Sequence, residues 1–297
     1  MANTQVTSLL DNRVLRRLER LRFNSSRRFT NRSQGEHLAG RFGQSTEFFD
    51  YRDYAAGDDI RHVDWNIFSR LHRPYLKLYR QEEEMHVLII IDNSLSMDFE
   101  NKLAQARQLA AAFGVVGLLN GERVSVYTTN PVEALPSRLD PCRGRSSMNK
   151  LFPFAESIAA AGSTTLDDGV EEVLKRHRGR GVAVLLSDFM TFGDLARSFN
   201  LLFRRGLEIA AIQILSPTEL YPELTGDVRF VDCEFEETLD VSSVGELIEI
   251  YHQYRQSFED RLRGLCTKRN GRFASLNAET DIESVLFDDL LRRGWLR

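Results

Sequence analysis

The chain is sparing with the residues that announce cluster, thiol or hydrolytic chemistry. Only three of its 297 residues are cysteines, Cys142, Cys233 and Cys266, far apart and without a CxxC pair. Neither a zinc knuckle nor a dithiol couple is signalled, and an odd, sparse count suits a reducing compartment. The six histidines are scattered, with no H-E-x-x-H. There is no G-x-x-x-x-G-K-[ST] loop and no G-x-S-x-G elbow, which excludes a P-loop nucleotidase and an esterase of the elbow type. The "GRGV" at Gly179 precedes a strand instead of following one, so it is no dinucleotide fingerprint. Charge of either sign is not in excess: 39 Lys+Arg face 43 Asp+Glu, a net charge of −4, and nothing pushes the chain as a whole toward nucleic acid. The longest apolar run, Leu109–Leu119, falls short of the ~20 residues a bilayer demands. The first residues carry no apolar stretch after a basic start, so a leader is not expected. The expectation is a cytoplasmic protein without membrane insertion or a nucleic-acid partner.

What is present divides the chain into three regions: 1–45, 46–84 and 85–297. Residues 1–45 hold nine arginines and no lysine. Leu9, Leu10, Val14, Leu15, Leu18 and Leu21 recur at helical spacing, so a helix is expected near 6–22, followed by an Arg-rich loop. Residues 46–84 are polar and aromatic, with the alternation of a strand in "PYLKLYRQ". From His86 onward, "HVLIIID", "RVSVYTT", "VAVLLSD", "LEIAAIQIL" and "RFASL" alternate with helical stretches. Four of these are nearly continuous apolar runs, the mark of strands covered on both faces. The whole reads as an α/β, doubly wound, mainly parallel sheet of Rossmann-like type, preceded by an N-terminal helix and a β-rich segment. Residues 227–241 contain two extended pieces that suit an antiparallel hairpin. Thr280-Asp281-Ile282-Glu283 has the capping-box pattern of a last helix that Gly294 ends.

In open α/β sheets ligands sit beyond the carboxyl ends of the strands. Three stretches there carry polar side chains. Asp92-Asn93-Ser94-Leu95-Ser96 follows the first strand, Gly162-Ser163-Thr164 precedes a helix, and Ser187-Asp188 follows "VAVLL". Each has an ordinary reading: Ser94 or Ser96 as a helix cap, Thr164 or Thr165 as another, Asp188 as a strand end. Taken together, D-x-S-x-S, G-x-T and S-D resemble the metal-ion-dependent adhesion site of von Willebrand factor A domains. That resemblance implies that Asp92, Ser94, Ser96, Thr164 and Asp188 surround one divalent cation, most in keeping with Mg²⁺, a hard ion that takes oxygen ligands in octahedral array. In the resembled site the aspartates act largely through bound water, which leaves the ion electrophilic with a position open to a partner's carboxylate. Leu95 is expected to point into the fold. A phosphatase of the haloacid-dehalogenase kind needs a second aspartate two residues after the first, where Ser94 stands.

Upstream, Glu47–Glu83 is the most distinctive stretch. Ala55-Ala56-Gly57-Asp58-Asp59 reads as a turn, Arg61 and Asp64 are close enough to pair, and Trp65 is a large anchor. The segment suits a clasp in which charges pin the turn and Trp65 packs on the sheet domain; the alternative is a partner-facing surface. Arg52, Tyr54, Gly57, Asp58, Asp59, Arg61, Asp64 and Trp65, in the pattern R-x-Y-x-x-G-D-D-x-R-x-x-D-W, resemble the signature of the domain of unknown function 58 family. That family joins this segment to a von Willebrand A-like domain with D-x-S-x-S and is often encoded beside MoxR-type AAA+ ATPases. The resemblance implies a non-enzymatic, metal-site-dependent interaction module that works with such an ATPase as an adaptor or chaperone-like factor on a client protein. The competing expectation is a metal-assisted hydrolase using the Asp92/Asp188 cluster.

Overall fold

The computed structural model describes residues 5–25, 30–31, 46–82, 85–133, 137–223, 228–231, 238–241 and 244–297. The chain divides into two compact units, Arg27–Glu84 and the remainder, Met1–Ser26 with Met85–Arg297.

Helix α1 (Asn12–Leu18) belongs to the larger unit and is shorter than the 6–22 expected, but Leu10, Val14, Leu18 and Leu21 are all buried. Its stripe therefore reads correctly even though the chain is extended by Phe23, which bridges to Leu296. The smaller unit is an antiparallel sheet of β1 (Thr30–Asn31), β2 (Thr46–Asp53) and β3 (Tyr75–Glu82) in the order β1-β3-β2. The short helix α2 (Trp65–Leu71) is inserted between β2 and β3.

The rest of the larger unit runs β4 (His86–Ile91), α3 (Lys102–Leu119), β5 (Arg123–Thr128), β6 (Arg138–Cys142), α4 (Met148–Ser157), α5 (Leu166–Arg176), β7 (Gly181–Ser187), α6 (Leu195–Arg204), β8 (Leu207–Leu215) and α7 (Pro217–Leu220). There follow β9 (Val228–Val231), β10 (Thr238–Val241), α8 (Val244–Thr267), β11 (Arg272–Asn277) and α9 (Ile282–Ser284), which continues as a π-turn through Leu290. The sheet order is β11-β8-β7-β4-β5-β6, parallel except for the edge strand β6. The strands expected from the sequence are β4, β5, β7, β8 and β11, and β9 and β10 form the expected antiparallel hairpin.

Alternate residues of β4 supply two separate cores. Val87, Ile89 and Ile91 face α1, α3, α4 and α9, while Leu88 and Ile90 face α5, α6 and α8. Helices thus cover both faces of a mainly parallel sheet, a Rossmann-like arrangement. Two glycines of α3 permit close packing, Gly117 against the sheet and Gly114 against α4. A Cβ at Gly117 would stand 2.6 Å from Val124, and one at Gly114 2.6 Å from Leu151. At the far end Asp281, not Thr280, caps α9, accepting from the Glu283 and Ser284 amides. Gly294, at φ +72, ends the last turn as expected.

Candidate site at the carboxyl edge of the sheet

β4 is the first strand of the sheet and lies between β5 and β7, so the strand order reverses between β4 and β7. A crevice opens at such a switch point, beyond the strand ends. Ile91 pairs in register with both Thr128 and Leu186. The residues that follow, Asp92, Thr129 and Ser187, therefore stand level with one another.

Asp92 is 5% exposed. Its Oδ2 accepts from the Ser187 hydroxyl at 2.6 Å, and its Oδ1 from the Ser94 amide at 3.0 Å and the Thr129 hydroxyl at 3.3 Å. Burial, and next the negative charge of Asp188, push its pKa above the ordinary carboxylate value; the Ser187 and Ser94 bonds pull the other way without winning. Ser187 also accepts from the Phe189 amide at 2.8 Å. That bond anchors a fully buried phenylalanine in the left-handed region, φ 59, a conformation that persists only where the surroundings fix it.

The Ser94 and Ser96 hydroxyl oxygens lie 2.9 Å apart. Neither acts as a helix cap. Ser94 precedes a 3-10 segment, Leu95–Asn101, and makes no side-chain bond to its backbone, and Thr165, which heads α5, makes none either. Thr164 is exposed, and its amide donates to Asn130 Oδ1 at 3.0 Å. Asn130 in turn donates to Thr129 Oγ1 at 3.1 Å, the hydroxyl that bonds Asp92. Asn93 ties the loops together through Asn130 and the Ala159 carbonyl. Leu95 does not point inward as expected; it is 42% exposed.

Asp188 is 1% exposed; its Oδ1 accepts from the Met190 amide at 2.9 Å, and its Oδ2 holds Lys102 Nζ at 2.8 Å. Lys102 is the partner that reading the sequence missed. Its ammonium also reaches Glu219 Oε1 at 2.7 Å. Burial alone would lower its pKa, but the Asp188 and Glu219 carboxylates outweigh that and hold it above the ordinary lysine value. The structure thus brings Asp92, Ser94, Ser96 and Asp188 to one end of the sheet and attaches Thr164 through Asn130. Among the described residues, no group of three or more His, Cys, Asp and Glu side chains is arranged to hold a metal ion.

The signature residues form a separate cluster within the smaller unit. Arg52 pairs with Asp58 at 2.8 Å, and Asp58 Oδ2 accepts from the Ala55 amide, closing the turn that Gly57 makes at φ +107. Tyr54 continues the register of the strand pair, its amide bonding the Pro74 carbonyl. Arg61 pairs with Asp59 at 2.6 Å, not with Asp64 as expected; that bond is the main reason the Asp59 pKa falls to about 2. Asp64 instead caps α2 through the Asn66 and Ile67 amides and holds Lys77 at 3.0 Å and the Tyr51 hydroxyl at 3.1 Å. The charges do pin the turn. Trp65 does not anchor it, since the ring is 59% exposed and meets Phe68 edge-on at 5.8 Å.

Known proteins place this arrangement in a family. Residues 50–262 match the profile described as "Protein of unknown function DUF58". Uncharacterized proteins of Mycobacterium tuberculosis and Mycobacterium bovis are 28% identical over 207 residues, which is 67% of this chain and 64% of theirs. The match therefore spans less than two thirds of those relatives' length. Among solved structures, the conserved hypothetical protein BatB from Bacteroides thetaiotaomicron is 12% identical with a TM-score of 0.40, covering 70% of this chain and 98% of that one. An aerotolerance-related membrane protein from Bacteroides fragilis is 14% identical with a TM-score of 0.41, covering 70% and 97%. An uncharacterized membrane-spanning protein from Vibrio fischeri is 14% identical with a TM-score of 0.21, covering 71% and 99%. Two of these neighbours are described as membrane proteins, and the cytoplasmic assignment expected from the sequence is withdrawn. No described helix is long and apolar enough to cross a membrane. With the signature and all of the six-stranded sheet but its edge strand β11 inside the matched span, the chain belongs to the DUF58 family of proteins of unknown function.

Proposed function

We propose that the larger unit is a von Willebrand factor A-type interaction module whose carboxyl-edge site takes a divalent cation, and that the protein acts with a MoxR-type AAA+ ATPase as an adaptor or chaperone-like factor on a client. The observation that carries the cation reading is the Ser94–Ser96 hydroxyl pair, 2.9 Å apart beside Asp92 and not used in capping. Two adjacent oxygens of an octahedron with bonds of ~2.0–2.1 Å stand about 2.8–3.0 Å apart. The two hydroxyls hydrogen-bond each other, and that separation also matches two neighbouring ligands of Mg²⁺. The donor set is hard and largely neutral, and the two buried aspartates carry charge that a cation offsets. Ser94, Ser96 and Asp92 would hold the ion, with Asp188 and Thr164 at its margin. When bound, such an ion supplies an electrophilic position for an oxygen ligand from a partner.

The chain's own groups favour recognition over hydrolysis. His86 and His177 lie at the opposite, amino end of the strands, where His86 opens β4. Lys102 is committed to two carboxylates, so it offers no free base. The ATPase partnership rests on the family resemblance.

Two measurements test this reading. Calorimetry with Mg²⁺ should give binding to the wild type and none to Ser94→Ala/Ser96→Ala. Light scattering with the purified ATPase should give a complex in Mg²⁺ that EDTA dissolves. Equal Mg²⁺ affinity in the double variant would overturn the ligand assignment, and a complex indifferent to EDTA would overturn the bridging role.

A further inference from the structure

Lys102 is badly placed by every local rule. It is the first residue of an 18-residue helix and its side chain is 1% exposed. The amino end of a helix is its positive pole, so a cation there is disfavoured. Removing an ammonium from water costs far more unless it is paired. The backbone leading to it also departs from ordinary geometry. Glu100 and Asn101, neither a glycine, are both left-handed, at φ 41 and φ 63. This costly approach brings Lys102 beneath the strand ends.

Two carboxylates from distant parts of the chain meet it there, Asp188 at 2.8 Å and Glu219 at 2.7 Å. Glu219 is itself fixed: it closes a capping box with Ser216, and its carbonyl accepts from the Tyr251 hydroxyl at 2.7 Å. The ammonium is therefore clamped between the end of β7 and the start of α7. Asp188, the second carboxylate of the candidate site, already has a cation on Oδ2 and an amide on Oδ1.

We infer that Lys102 is a built-in counter-cation that competes with a divalent ion for Asp188, and so sets how tightly the site takes one. This rests on the cation reading above. Asp92, Asp188 and Glu219 carry three negative charges when ionised, and Lys102 carries one positive charge. A divalent ion brings the group to neutrality. Without Lys102, the same ion meets an additional uncompensated carboxylate in a poorly solvated place, where attraction is strong. An ion and an ammonium sharing one carboxylate repel each other, so each loosens the other's hold. By reciprocity, an ion at the site also weakens the bond between Lys102 and Asp188, leaving the lysine to Glu219.

The test is calorimetric titration of the full chain with Mn²⁺, comparing wild type, Lys102→Met and Lys102→Met/Asp188→Asn. Lys102→Met should bind Mn²⁺ more tightly by on the order of tenfold or more, and adding Asp188→Asn should cancel that gain. In EDTA, Lys102→Met should melt below the wild type and recover more of the difference on adding Mn²⁺ than the wild type gains. If Lys102→Met fails to fold, Lys102→Met/Glu219→Gln is compared with Glu219→Gln, and the same ratio is expected. Wild-type binding with unchanged or weaker affinity in Lys102→Met overturns the competition and leaves the cation reading standing. Binding by Lys102→Met alone supports the competition and removes the cation reading for the natural chain. No binding by either protein overturns both, and a gain that survives Asp188→Asn overturns the assignment to Asp188.

Discussion

Acidification should destabilise the fold through one residue at the end of the sheet away from the candidate site. His177 follows α5 and is 3% exposed. Its ring stands edge-on to His86 at 5.5 Å and to Tyr127 at 6.4 Å. Nδ1 lies 3.4 Å from the Ser125 hydroxyl, and Nε2 has no hydrogen-bond partner among the described residues. Burial, and then the positive charges of His86, Arg205 and Arg178, bring its pKa from 6.5 down to about 4. A base whose pKa is depressed by folding binds its proton better when unfolded. Its contribution is therefore complete above 6.5 and is lost as pH falls toward 4. At about 1.4 kcal/mol per pH unit, the ceiling of the loss is about 3 kcal/mol. Between pH 7 and pH 5 the share is about 2 kcal/mol. Urea unfolding at those two pH values, wild type against His177→Phe, isolates it. The raised pKa of Asp92 acts in the opposite direction, giving stability at low pH that is lost as pH rises through the raised value. It is common to both proteins and cancels in the comparison. The wild type should lose about 2 kcal/mol more than the variant. Equal losses in the two proteins would refute the argument.

Two further changes test the local geometry. Trp65→Ala should cost less than about 1 kcal/mol in thermal unfolding, because the ring is mostly in solvent and its described ring contact is edge-on to Phe68; a loss of about 3 kcal/mol or more would mean that the ring is buried after all. Gly162→Ala should cost about 1–2 kcal/mol by denaturant unfolding, since the residue sits at φ +66 and its Cβ would stand 2.6 Å from Asn130 Oδ1; a neutral substitution would show that this loop relaxes freely.

The sequence made the central strands easy to read and the edge strand hard. Leu88 to Ile91 and Val182 to Leu186 are apolar without interruption because both faces of the sheet are covered, and every residue of β4 and β7 is buried. Strand β6 reads "RLDPC" and has one buried residue, Leu139. A proline and two charges are tolerated there because an edge strand pairs on one side only. The mistaken pairing of Arg61 has a similar local cause. Asp59 is two residues away and meets the guanidinium without any turn of the chain, whereas the Asp64 carboxylate is taken up by the Asn66 and Ile67 amides and by Lys77. Asp281 likewise displaces Thr280 as the cap of α9, one residue later than the capping-box pattern suggests.

The candidate site divides along the same line. Parallel strands of similar length end level with one another, so the first polar residues after each apolar run are brought together by register alone. Asp92 and Ser187 follow from that rule, and Asp188 stands one residue further on; Thr129 does not, because β5 alternates and Thr128 is already polar. The rule needs only the ends of the apolar runs, which the sequence displays. Lys102 escapes it because it comes from a helix. Which way a helix turns its first side chain depends on how its apolar surface seats on the sheet, and α3 is apolar nearly all round, so no stripe in its sequence fixes that rotation. Its partners are 86 and 117 residues away, beyond any local pattern. A lone lysine at the head of an apolar helix reads as solvated, and only the fold reveals that two carboxylates are waiting for it. The charge balance at this end of the sheet therefore depends on a residue that the sequence motif leaves out.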